Sequence, residues 1–226
     1  MNNHETLLKT FRRGNRSLGF TLAEVLVTLG IIGVVSAMTL PTLVKNHQRQ
    51  VYVTQLQKVV NELTQAFDSA IEDNHAVSLQ ESGVFGSEGY AEDFFRKYFK
   101  ITQTCTGTDL GNCFAEQYKN LRGDNIRARD LIGSYMDCAS IASGASICMQ
   151  VWPWSDYGFI FVDINGKQGP NIVGRDFFHF FVDNKGVVSG ASADSVDDSW
   201  SSISGDTDDY GVYLGKIMND GWKMDY

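Results

Sequence analysis

The sequence is short of positive charge, of histidine and of every common catalytic motif, and each shortage closes off a class of function. Lys and Arg number 19 against 27 Asp and Glu in 226 residues, a formal net charge of −8. Even these cations are unevenly placed: Lys9, Arg12, Arg13 and Arg16 face only Glu5 before Phe20, a local balance of +3 that leaves −11 for the rest. Phosphate binding draws on clustered Lys and Arg, so this acidic body argues against a nucleic-acid partner. Of the four histidines, His4 lies near the N-terminus, His47 and His75 bracket a helical stretch, and His179 stands among phenylalanines. His179 is thus the one candidate base, in a setting that suits packing better than proton transfer. There is no G-x-S-x-G, no phosphate-cradling glycine loop and no H-E-x-x-H, and the chain is expected not to be an enzyme. Cysteine is absent before Cys105, and the four that follow, Cys105, Cys113, Cys138 and Cys148, include no C-x-x-C, which argues against zinc.

What is present in abundance is apolar sequence near the N-terminus. Residues 20–44 are apolar, small or hydroxylated except for Glu24, and 25 residues at 1.5 Å each span about 37 Å, enough to cross a bilayer. Basic residues precede this run and the acidic body follows it, so the positive-inside tendency puts the N-terminus in the cytoplasm and the body outside. A conventional secretory signal is the competing reading, with Val35-Ser36-Ala37 as a peptidase site and a mature chain beginning at Met38. Two features oppose it. A carboxylate in the apolar run is costly, about 2.5 to 3.5 kcal/mol at mid-membrane. The helical pattern also continues past Ala37, through Tyr52, Leu56, Val59, Val60, Leu63, Phe67, Ala70 and Ile71 at spacings of three and four.

Basic residues, Gly19, and then Phe20-Thr21-Leu22-Ala23-Glu24-Val25-Leu26-Val27 together resemble the N-terminal signature of type IV pilins and type II secretion pseudopilins. The resemblance covers roughly the first fifty residues. It implies a leader over residues 1–19 that a prepilin peptidase removes after Gly19, with N-methylation of the new first residue, Phe20. It also implies an inner-membrane protein that meets an assembly platform and other pilin or pseudopilin subunits. Glu24 would be the fifth mature residue, and a buried carboxylate needs a cationic partner. The methylated amine of a neighbouring Phe20 keeps its charge, so the pair would fix the axial register of helices packed in a filament. Pro41 removes one backbone hydrogen bond inside the run, where a kink or loosening is expected, and Gly30 and Gly33 weaken the same half.

The fold class expected is α+β and pilin-like: one long N-terminal helix, membrane-spanning in its first half over residues 20–44, amphipathic over 45–74, and packed on an antiparallel sheet in a globular domain over 75–226. Residues 78–89 read as a loop, and "YAEDFFRKYFK" as a short helix. Polar loops are expected from about residue 102 to 147, then strands in "ASICMQVWPW", "YGFIFVDI" and "RDFFHFFVD", separated by Asn165-Gly166 and Asn184-Lys185-Gly186 turns. A short helix over residues 208–219 and a terminal strand should close the chain.

On the outer side of the membrane the thiols should be oxidised. Four cysteines allow three connectivities, and short loop closure favours Cys105 with Cys113 and Cys138 with Cys148. The segment "DINGKQGPNIVGRD" resembles the sheet-loop region of pilin-like proteins, whose secretion members hold calcium nearby. Asp163, Asn165, Asn171 and Asp176 offer oxygen ligands of the right type. The spacing is not that of an EF-hand, and a hairpin using Asn and Gly for positive φ is the preferred reading. The cluster Asp194, Asp197, Asp198, Asp206, Asp208 and Asp209 reads as solvated surface or helix capping. A rival from another class is a secreted binding module with Trp152, Trp154 and Trp200 as a ligand surface.

Overall fold

A computed structural model describes residues 19–86, 90–190 and 212–226. Residues 1–18 of the expected leader, Trp200 and the whole acidic cluster of Asp194 to Asp209 lie outside the described residues. The chain divides into two compact units, Met1–Lys45 and Asn46–Tyr226. Helix α1, Leu22–Asp73, is 52 residues long and continues without a break through Pro41. In the first unit it carries Phe20 just ahead of it, and its large apolar side chains are exposed, Leu22 at 78% and Met38 at 74%. This helix is long and apolar enough to cross a membrane.

The second unit is an α+β domain whose sheet has the order β1-β4-β5-β6-β7-β8, with every neighbouring pair antiparallel. The strands are β1 Ile101–Thr106, β4 Asp137–Ile141, β5 Ser146–Gln150, β6 Tyr157–Asp163, β7 Phe177–Asp183 and β8 Val188–Ser189. A separate two-stranded ribbon, β2 Gln117–Lys119 with β3 Asn125–Arg127, bonds through Lys119 to the segment between β6 and β7. Helix α2 covers Tyr90–Tyr98, α3 covers Ala128–Ile132 and α4 covers Val212–Asn219.

Side-chain period 2 sorts the central strands into two faces. Ile147, Ile160, Val162, Phe178, Phe180 and Val182 fall on one face and are fully buried. The stripe on α1 that meets this core is Leu56, Val59, Val60, Leu63, Phe67 and Ala70, the spacing legible in the sequence. Gly186, at φ +83, turns the chain between β7 and β8 where a Cβ would lie 3.1 Å from the Cβ of Phe67, so the absent side chain lets the turn approach the helix. Phe94 of α2 stacks on Phe67 at 5.0 Å, and Ser143 donates to Glu62 Oε2 at 3.0 Å. The opposite face carries an aromatic ladder, with Phe159 opposite Phe181 and Phe161 opposite His179.

Two expectations require correction. The region read as polar loops from 102 to 147 holds β1, β2, β3, α3 and β4. β1 is a sheet edge with its middle residues exposed, so "ITQTCT" needs no apolar alternation, and β4, "DCASI", buries small residues that carry little hydropathy signal. The expected terminal strand does not form. After Asn219 the chain reverses through Gly221 and Trp222, both at positive φ, with Trp222 N–H donating to Ile217 O at 2.7 Å in a helix C-cap. The tail then buries Met224 and sends Tyr226 Oη to donate to Gly174 O at 2.7 Å, reaching the core without sheet pairing.

Candidate functional site

The residues with the clearest chemistry in the first unit are Gly19, Phe20, Thr21 and Glu24. Phe20 is 88% exposed and precedes the first helical turn. Thr21 N–H donates to Glu24 Oε2 at 2.8 Å, Thr21 Oγ1 donates to the same oxygen at 2.9 Å, and Glu24 N–H donates back to Thr21 Oγ1 at 3.2 Å. This is a reciprocal capping box: Ser or Thr at the N-cap and Glu three residues on satisfy the first amides of the helix. The carboxylate also lies at the positive end of the helix dipole. The T-x-x-E pattern is visible in the sequence, but reading Glu24 only as a charge in an apolar run passes over its bonds to its own helix. The capping box therefore gives Glu24 a role in the single chain, four residues along the sequence from Phe20.

In the second unit the loop between β6 and β7 gathers the four expected oxygen ligands. Asp163 and Asp176 are both fully buried. Tyr118 Oη donates to Asp163 Oδ2 at 2.6 Å, and the N–H of Asn165 to Asp163 Oδ1 at 3.2 Å. The N–H groups of Asn171 and Ile172 donate to the two oxygens of Asp176 at 2.7 and 2.6 Å. Burial, followed by the charge of Asp176, raises the pKa of Asp163 well above the usual carboxylate range. Burial raises Asp176 to about 6 against the opposing pull of its backbone donors. The amide oxygens of Asn165 and Asn171 are buried without a hydrogen-bond partner. Both carboxylates thus accept internal donors that brace the loop, and among the described residues no group of three or more His, Cys, Asp or Glu is placed to hold a metal ion. β6 and β7 pair as an antiparallel hairpin, and the loop between them uses positive φ at Gly166, Asn171 and Gly174.

His179 is mostly buried, stacked at 4.5 Å on Phe161 with an interplanar angle of 7°, and its Nε2 has no hydrogen-bond partner. Burial holds its pKa down at about 4, so it is a neutral ring in an aromatic ladder near neutral pH. The cysteines form two disulfides, Cys105–Cys113 and Cys138–Cys148, with Cα separations of 6.3 and 4.0 Å. Cys138 faces both Cys105 on β1 and Cys148 on β5, so three sulfurs share one row across the sheet.

Among known protein families, residues 14–40 match the prokaryotic N-terminal methylation motif. No curated protein and no solved structure matches the chain.

Proposed function

We propose, from a chain whose residues 14–40 carry the type IV pilin and pseudopilin signature, that this protein is a prepilin-like structural subunit of a filament. Prepilin peptidase cuts between Gly19 and Phe20 and the Phe20 nitrogen is methylated. The helix holds the subunit in the inner membrane with its N-terminus cytoplasmic and its body outside. From there the platform adds it to other pilin-type subunits, in a type IV pilus or a type II secretion pseudopilus. The observation that carries this reading is the methylation motif on a helix whose apolar side chains are exposed in the single chain. That surface demands cover, first from lipid and then from neighbouring helices.

Chemistry at the N-terminus follows from the capping box. Cleavage after Gly19 turns the Phe20 amide into a cationic amine, and Glu24, already ordered by Thr21, is the nearest acid on α1. In the apolar core of a filament that carboxylate is costly unless paired, so the amine of an adjacent subunit joining it favours one stagger over others. Glu24→Gln separates assembly from capping, because the amide oxygen still accepts from Thr21 while the charge is gone. In the native host the variant should be processed, membrane-bound and folded, yet the sheared filament fraction should fall at least about tenfold, the effect expected for losing one partner of a buried ion pair. Filaments at the wild-type level would leave Glu24 with capping alone.

A further inference from the structure

The sheet domain has a second surface whose chemistry the filament role does not use. A cleft of about 820 Å³ opens at the end of β1, β4 and β5, and its rim includes Tyr135 and Trp154. Each is 80% exposed, a high exposure for rings of this size. The same cleft is lined by Thr106, Thr108, Asp137 and Gln150.

The rings are presented on braced backbone. Trp154 sits in a turn closed by Ser155 N–H donating to Trp152 O at 3.1 Å, and the Gln80 side-chain amide donates to Pro153 O. Trp152 and Phe159 meet edge to face, with ring centroids 5.7 Å apart. On the opposite side Gly107 N–H donates to Met136 O at 2.9 Å, and a Cβ on Gly107 would lie 2.3 Å from Gly133 O. Only glycine lets the turn bearing Thr106 and Thr108 meet the loop bearing Tyr135. The disulfides start one residue away, at Cys105 and Cys138.

We infer that this cleft is a carbohydrate-binding site for an uncharged glycan. Sugar rings present polarised C–H faces that stack on exposed aromatic rings, while their hydroxyls need closely set donors and acceptors of the kind Thr106, Thr108, Gln150 and Asp137 supply. None of the described lining residues is Lys, Arg or His, and the chain beyond the leader carries −11, so the cleft favours a neutral chain over an anionic polymer or lipid headgroup. The volume accommodates a few sugar units, within the usual range for ligand clefts.

The test is isothermal titration calorimetry on the full chain in a zwitterionic detergent without a sugar headgroup, using chitohexaose and cellohexaose as probes. It needs no filament, so its outcome is separate from that of the Glu24 experiment. At least one probe should bind saturably, and Trp154→Ala and Tyr135→Ala should each raise Kd about tenfold or more with unchanged circular dichroism. Absence of binding to both probes overturns the proposal, as does affinity unchanged in both variants. Binding of a proline-rich peptide that depends on Trp154, in place of either glycan, overturns it too and assigns the cleft to polypeptide.

Discussion

His179 and Asp176 show how single buried groups set the pH response of the sheet domain. The folded imidazole titrates at about 4, below its ordinary value near 6.5, so the unfolded chain takes up the proton first as pH falls. Its contribution is complete above 6.5 and is lost as pH drops toward 4. Asp176 works in the opposite sense. Its folded pKa of about 6 exceeds the ordinary 3.8, so its contribution is present in acid and is lost as pH rises through 6. His179→Phe keeps an aromatic ring beside Phe161 and removes the titration. The variant should gain urea stability over wild type at pH 5 and gain less at pH 7.5, and an equal change at both values would contradict a buried neutral imidazole. The carboxylates of Asp163 and Asp176 already accept internal donors, so calcium or EGTA should leave the melting temperature unchanged. A rise with calcium that Asp163→Asn abolishes would instead make the β6–β7 loop a cation site.

Elements differ in how plainly the sequence announces them, and the reason is the size and spacing of the buried residues. α1 is legible because its stripe from Leu56 to Ala70 keeps helical spacing, and β6 and β7 because aromatic residues crowd both faces of the sheet. The edge strand β1 and the small-residue strand β4 give no such signal: β4 takes its place by register with β5, and β1 by register with β4, rather than by their own composition. At the C-terminus "GWKMDY" resembles a strand by its aromatics, yet the Gly221 cap turns it back over Gly174. The N-terminal site is legible as a motif, whereas the bonds between Thr21 and Glu24 emerge only with the first turn of the helix in place. Cys138–Cys148 clamps two central strands and closes a short loop, separated by 10 in sequence. Replacing both cysteines with alanine should cost about 2 to 3 kcal/mol of unfolding free energy in denaturant titrations, while a loss under about 0.5 kcal/mol would show that the sheet holds its register without the bond.

For the whole molecule, the sharpest contrast is between an apolar helix left open to its surroundings and an acidic domain with its own aromatic core. In the proposed function the helix answers to lipid and to other helices, and the domain to whatever lies outside. The methylation motif links the two, because a cut after Gly19 leaves the entire apolar run attached to the domain, whereas a signal-peptidase cut after Ala37 would discard most of it. Mass spectrometry of the mature N-terminus, on protein taken from membranes of the native host, tests that link directly. A chain beginning at N-methylated Phe20 is expected, and a chain beginning at Met38 would contradict the pilin-like reading.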